Sequence, residues 1–423
     1  MSFITRSLTK ASPAVFSVYA LGAAFATYFC MYGLRKPFAA GTYAGDPVFG
    51  LDLKTFFVTA QVIGYALSKW LGVKFVSEVN DRRRGWAIVT SALLAELALV
   101  GFGLVPAPWS ALCLALNGLP LGMIWGFVFG YLEGRRSSDF LGAGLCASFI
   151  LASGAVKAVG RWLLDLGVPE PWMPAVAGLL FLLPMLGFTA LLAQLPPPSA
   201  DDVAARTRRA PMDAQARRAF IRQHLAGLAP LFLAYVALTA FRDFRDNFAR
   251  ELWDALGFGS APSVLAWSEI PVAFGALLPV VLAGTIRDNR RALFFVHGAM
   301  LFGAALVAGS TFAWSLGLIG PAAWMISAGL GAYLAYVPYN CVLFDRLVAA
   351  LGSVATAAFL IQFADSLGYL GSVGLLFYKN FGQASLPWVP FFVGACYGLA
   401  AIGGLCWVAS ALWLRRRVPA GVT

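Results

Sequence analysis

The sequence predicts an all-α membrane protein with twelve transmembrane helices in two pseudo-symmetric six-helix bundles. Three observations predict it. Of the 423 residues, 60% are hydrophobic and 12% charged, against about 25% charged in an ordinary soluble domain. Apolar runs of the length a bilayer requires, about 20 residues, fall near 13–34, 55–77, 86–105, 109–132, 140–164, 172–194, 225–245, 263–286, 291–313, 318–344, 353–378 and 388–414. The second half of the chain also repeats charged positions of the first at a fixed offset.

Asp288 follows Asp81 by 207 positions, as Arg290 and Arg291 follow Arg83 and Arg84, and as Arg242 follows Arg35. With one residue of slack, Tyr339 matches Tyr131. A constant offset at separate places is the mark of an internal duplication, common among transporters. The bundles are expected at residues 1–195 and 225–423. Between them, 196–224 reads as a cytoplasmic linker whose Arg-rich amphipathic part suits an anionic membrane surface.

Basic residues alternate between loops. They cluster in the N-terminal tail (Arg6, Lys10), after spans two, four and eight, through Arg206–Arg222, and at Arg415–Arg417. By the positive-inside rule both termini are cytoplasmic, here in a bacterial inner membrane. That pattern accounts for the net charge of +11 without a nucleic-acid partner. The expected partners are the lipid bilayer and a small-molecule solute, and a monomer is expected.

The composition argues against other classes of function. The six cysteines lie in predicted spans with no Cys-x-x-Cys pair, and the two histidines, His224 and His297, lack metal-ligand spacing, so no metal site is expected. There is no phosphate-binding Gly-x-x-x-x-Gly-Lys loop and no nucleophile–histidine set, so neither a cofactor nor enzymatic chemistry is expected.

Polar residues inside the spans are the candidates for function, because charge at membrane depth is costly and faces a bundle interior or a cavity. Span one ends in Tyr32-Gly-Leu-Arg35-Lys36-Pro-Phe. Span two carries Gln61, Tyr65, Ser68 and Lys69; the first three recur at i, i+4, i+7 and share a face. Span four has a glycine stripe, Gly122, Gly126, Gly130 and Gly134, suited to close helix approach. In span five, Lys157 lies deeper than the Arg161–Asp165 pair.

In the second half, span seven runs into Arg242, Asp246, Arg250 and Asp254 at i, i+4 intervals, one face of alternating charge. Span eight holds Glu269, span ten Tyr336, Tyr339 and Asn340, and span eleven Gln362, Asp365, Ser366 and Tyr369. Asp81, Arg82, Asp288 and Arg290, in the loops after spans two and eight, are expected to act as conformational latches at cytoplasmic helix ends.

Two six-helix halves, a basic central loop and an Asp-Arg-rich loop after the second helix of each half resemble the major facilitator superfamily. Within it, Tyr32-Gly-Leu-Arg35-Lys36-Pro-Phe38 is similar to the Tyr-x-x-Arg-Lys-x-Phe motif of the organophosphate:phosphate antiporters, and Gly64-Tyr-Ala-Leu-Ser68-Lys69 to the Tyr-Gly-x-Ser-Lys run of their second helix. Arg242 matches their seventh-helix arginine. The resemblance implies that Arg35 and Arg242 hold an anionic substrate group. Three features depart from it: Lys157 stands in span five, where the antiporters carry a histidine, Asp81-Arg-Arg-Arg-Gly85 is a degenerate loop motif, and Asp243, Asp246 and Glu251 lie beside Arg242. The pattern also resembles an uncharacterised bacterial family of facilitator-like proteins.

The expected function is secondary active transport of a small polar solute bearing phosphate or carboxylate. Arginine offers such a group a planar, permanently charged fork. Arg35, Lys36, Lys157 and Arg242 are expected to supply positive charge, and Tyr32, Tyr65, Tyr339 and Asn340 neutral hydrogen bonds. Two rival readings stand beside it. One is a proton-coupled transporter of a sugar, peptide or cation, working through Asp246, Glu269 and Asp365. The other is a non-transporting membrane sensor whose contact surface is the segment Asp201–Arg222.

Overall fold

The structure is a computed structural model of the chain. It describes residues 2–79, 81–132, 135, 138–198, 202, 214–261, 263–352, 357–383 and 385–418. Most of the expected central linker, and the side chains of Asp81 and Arg82, lie outside the described residues.

In chain order the α-helices are α1 (Phe3–Thr9), α2 (Pro13–Gly33), α3 (Leu53–Glu78), α4 (Asp81–Leu104), α5 (Ser110–Leu132), α6 (Ser138–Asp165) and α7 (Met173–Leu192). There follow α8 (Ala214–Asn247), α9 (Ala249–Trp253), α10 (Val264–Trp267), α11 (Glu269–Thr285), α12 (Asn289–Ser315), α13 (Pro321–Cys341), α14 (Leu343–Ala350), α15 (Ala357–Phe377) and α16 (Trp388–Arg417). Among the described residues, 10 helices are long and apolar enough to cross a membrane, or 11 with the bent pair α13–α14. The expected second span corresponds to α3, which is 26 residues long but carries Lys54, Lys69 and Lys74.

Local chemistry sets the helix ends. Ser12 caps α2, accepting from the Val15 amide, and Pro13 sits where a missing N–H costs nothing. After Gly33, Pro37 blocks further α-helix and a short 3-10 turn, Pro37–Ala40, takes over. Asp288 Oδ1 accepts from the Arg291 amide at 2.6 Å and caps α12. Two helices break: α8 kinks at His224 (φ −112°, ψ 15°), where the expected linker meets the seventh span, and α13 meets α14 at a 51° bend about Val342, inside the expected tenth span.

The chain divides into two compact units. Unit 1 comprises Met1–Val203, Asp246–Glu269 and Leu376–Ala384; unit 2 comprises Ala204–Arg245, Ile270–Leu375 and Ser385–Thr423. The division thus falls inside α8, between Arg245 and Asp246. The segment Asp246–Glu269 clusters with the first unit, and the ion pairs of Asp246 and Glu251 described below help to tie it there.

In unit 1, α3 lies against α5, and α4 against α5 and α7. The α3–α5 seam is closed by glycine: a methyl group on Gly64 would run into the Ala115 carbonyl, and one on Gly118 into the Gln61 carbonyl. Gly122 of the expected stripe packs on Ser68 at the same seam. In unit 2, Gly303 of α12 and Gly331 of α13 face each other's backbone in the same way.

Candidate functional site

Unit 1 holds a buried polar group that starts at the end of α2. The last carbonyls of a helix have no partner within it. Here Leu34 O accepts from Asn117 Nδ2 at 3.0 Å, and Arg35 O from Gln61 Nε2 at 3.0 Å. The two carboxamides are themselves bonded, Gln61 Nε2 to Asn117 Oδ1 at 2.9 Å, and Asn117 Nδ2 also donates to Ala95 O of α4 at 3.0 Å. Asn117 of α5 therefore joins the end of α2, α3 and α4, and the backbone that presents Arg35 and Lys36 is fixed from behind.

The side chains then fan out. Arg35 is 2% exposed; its guanidinium lies 3.6 Å from the Tyr65 ring centre and 6.0 Å from that of Tyr32. Lys69 Nζ approaches the Tyr65 ring from 5.4 Å. A cation over an aromatic face is attracted by the ring quadrupole. Lys36 points to the segment after Arg245: Nζ is 2.5 Å from Asp246 Oδ2 and 2.7 Å from Asn247 Oδ1. Lys157 of α6 reaches the other oxygen of that carboxylate, Oδ1, at 2.7 Å, and the Asp246 carbonyl at 2.9 Å. Ser153, one turn earlier on α6, also donates to Asp246.

Further contacts fasten the same segment. Lys54 pairs with Glu251 and donates to Ala39 O at 2.7 Å. Arg250 donates to Ala40 O, and Arg161 Nη2 to Gly259 O at 3.1 Å. Gly154 packs on the Leu265 carbonyl and against the Glu269 side chain, which is buried.

Unit 2 holds a second group, built on Arg242. Its Nη1 donates to the Tyr336 hydroxyl at 2.7 Å, and its Nη2 to Asp243 Oδ1 at 2.8 Å and to the Tyr369 hydroxyl at 3.1 Å. Asp243 Oδ2 accepts from Ser372 at 2.9 Å. The Tyr336 hydroxyl lies 3.0 Å from that of Tyr235, which donates to Asp365 Oδ1 at 2.9 Å. Asn340 closes the group, donating to the Tyr336 carbonyl at 3.2 Å. Guanidinium and carboxylate are thus linked through two phenols in a buried chain, where hydrogen bonds strengthen one another.

The structure therefore gathers Tyr32, Arg35, Lys36, Tyr65, Lys157 and Asp246 in unit 1, and Arg242, Asn340 and Asp365 in unit 2. Tyr339 stands apart: its hydroxyl donates to Leu231 O at 3.0 Å and accepts from Trp407 Nε1 at 2.9 Å. Asp288 caps its own helix, and the Arg290 guanidinium lies 5.3 Å from the Phe294 ring. The alternating-charge face expected from Arg242 to Asp254 is interrupted, because α8 ends at Asn247 and Phe248 leaves helical geometry (φ −109°, ψ 24°). Asp243, adjacent in sequence, takes Arg242 instead. Of the expected series only Arg250–Asp254 pairs, at 3.4 Å.

Sequence reasoning passed over Asn117, Asn247 and Tyr235. Asn117 carries the clearest signal in hindsight, a lone carboxamide in the apolar run Ala111–Leu121, where an unpaired polar group would be costly. Among the described residues no three potential metal ligands come together.

Solved structures resemble the fold along its whole length. One, described as a D-xylose-proton symporter, matches with a TM-score of 0.57 and 16% identity over 96% of this chain and 98% of that one. Another, the major facilitator superfamily proton:xylose symporter XylE bound to 6-bromo-6-deoxy-D-glucose, matches with a TM-score of 0.61 and 14% identity over 96% of each chain. The protein has the major facilitator fold and is a multi-pass membrane protein. No curated protein matches the sequence. Residues 37–417 match the model of a family of unknown function, DUF5690, and the chain belongs to that family.

Proposed function

We propose that this protein is a secondary transporter that carries a small anionic solute, bearing phosphate or carboxylate, by alternating access, with both termini on the cytoplasmic side. One observation carries the reading: buried cations converge in unit 1. The ammonium groups of Lys36 and Lys157 meet at one carboxylate, Asp246, and Arg35 adjoins Lys36 with its fork laid on Tyr65. Cationic side chains held at membrane depth mark pathways for charged solutes. Arg35 supplies a planar fork for two anion oxygens, and the lysines act as point charges. Gln61 and Asn117 hold the backbone so that this geometry need not form anew on binding.

A thermal-shift screen of the purified protein tests this, since a ligand that binds only the folded state raises its stability. Inorganic phosphate, glycerol 3-phosphate and succinate are compared with D-xylose. The expected result is stabilisation by at least one anion, weakened at least tenfold in apparent affinity by Arg35→Lys. Stabilisation by the sugar alone would overturn the reading.

A second reading has its own observation. The buried chain from Arg242 through Tyr336 and Tyr235 to Asp365 suits a proton-coupled transporter of an uncharged solute, and the symporters that share the fold are described as proton:xylose carriers. Asp365→Asn separates the two. Under this second reading it abolishes accumulation driven by a pH gradient; under the first, anion exchange survives.

A further inference from the structure

One buried acid belongs to neither group. Glu96 stands near the middle of the candidate span Arg83–Leu104 and is 9% exposed. Its Oε2 is enclosed and has no hydrogen-bond partner among the described residues. The carboxyl group lies against Gly178 of α7, on the spot that a methyl group there would take, with Leu99 beside it.

Among the described residues, no charged group on the helices packed against it answers it. The helices packed most extensively against α4 are α5 and α7. Helix α7 has no titratable side chain. On α5 the titratable groups are Cys113, which faces Gly101, and Tyr131, which faces Gly85, near the two ends of α4. The charged residues of α4 itself, Asp81 to Arg84, lie at its start, more than three turns before Glu96. An ionised carboxylate at such a place would bear the full cost of desolvation with no cation to offset it.

We propose that Glu96 is a proton-binding site: a carboxylic acid that keeps its proton while α4 and α7 are in contact, and releases it only when the seam at Gly178 opens to water. Packing and proton occupancy are then one equilibrium. A ligand that binds only one of two states shifts the balance between them, so a proton gradient would bias the seam. Only the further role of this proton as the coupling ion of transport rests on the function proposed above.

Two measurements on the purified full-length protein test the site, and neither needs a solute. In the first, a hydrophobic carbodiimide is added at neutral pH. A protonated carboxyl adds across its C=N bond: the acid proton goes to nitrogen, a carboxyl oxygen bonds to the central carbon, and rearrangement leaves a stable N-acylurea. Mass spectrometry should find the adduct on Glu96, diminishing as the pH is raised and absent from Glu96→Gln. In the second, thermal unfolding of the wild type and of Glu96→Gln, which mimics the neutral acid, is compared across pH. A group that holds its proton more tightly when folded contributes stability at low pH that is lost as pH rises. The midpoint of Glu96→Gln should therefore match or exceed that of the wild type at neutral pH, and its advantage should widen toward alkaline pH. A Glu96→Gln protein whose deficit grows with pH would show that the ionised form is the native one; that result, or a Glu96 that takes no label at any pH, would overturn the proposal. A failed anion screen bears on the proposed function and leaves both results standing.

Discussion

Tyr336 meets Arg242 in two ways at once: its hydroxyl accepts from Nη1 at 2.7 Å, and its ring centre lies 4.4 Å from the guanidinium carbon. The same tyrosine is stacked on Tyr235, with ring centres 5.2 Å apart. Removing the hydroxyl keeps the ring contacts and strands one donor of a buried cation. Tyr336→Phe should cost about 1–3 kcal/mol, seen as a lower unfolding midpoint. Tyr336→Leu, which also loses the ring, should cost more. Equal losses in the two variants would deny the hydroxyl its role.

Asp246 is the shared counter-ion of Lys36 and Lys157. Asp246→Asn leaves two ammonium groups facing a neutral amide and should destabilise by about 3–5 kcal/mol, the range for breaking a buried pair. Lys157→Met should cost less, because Lys36 still holds the carboxylate. Combining the two should recover part of the loss, a coupling that a double-mutant cycle on thermal unfolding would register. Strict additivity would mean that the groups do not interact.

Asn117 serves two backbones, at Leu34 and Ala95, and the Gln61 side chain with one carboxamide. Asn117→Ala should expose the Leu34 and Ala95 carbonyls to an apolar setting at about 1–3 kcal/mol in stability. It should also weaken anion binding, although residue 117 would touch no solute, because the backbone under Arg35 would loosen. A stability loss with unchanged affinity, read by titration against thermal shift, would confine Asn117 to packing.

Tyr43 lies outside the membrane spans, its ring set edge-on to Phe57 and Phe102. Its hydroxyl is buried with no partner among the described residues. Tyr43→Phe should therefore stabilise the protein, by about 1 kcal/mol. Burial first, and the Glu170 carboxylate second, push the Tyr43 phenol well above its ordinary range, with Arg250 opposing. The unfolded chain ionises this tyrosine first, so the stability tied to it is complete below the ordinary tyrosine range and is lost as pH rises beyond it. Tyr43→Phe should shed that alkaline loss, and parallel unfolding curves across high pH for the two proteins would contradict the assignment.

The sequence made the spans legible because a bilayer imposes length and apolarity on a helix. It also revealed the buried cations, since Arg35, Lys36, Lys157 and Arg242 interrupt apolar runs. Pairing was harder to read. A helical-face argument joined Arg242 to Asp246, four residues on, but Asp243 sits closer and α8 stops at Asn247, so Asp246 went to Lys36 and Lys157 instead. These partners lie on different helices, and which helices adjoin is a tertiary fact that periodicity does not encode. Tyr339 illustrates the same limit. Its place beside Asn340 suggested the site, yet the two side chains leave α13 in different directions, one to Trp407 and the other to the Tyr336 carbonyl.

The seam at Gly64 and Gly118 bears on how freely this chain can drift. At both positions any side chain at all collides with the backbone of the facing helix, so substitution there is closed at the first carbon whatever its polarity. Gly22, Gly187 and Gly298 have open space around the same atom. A collection of natural variants should therefore sort the glycines into two classes, invariant at 64 and 118 and freely replaced at 22, 187 and 298. The frozen positions would trace the line along which α3 and α5 descend through the bilayer together.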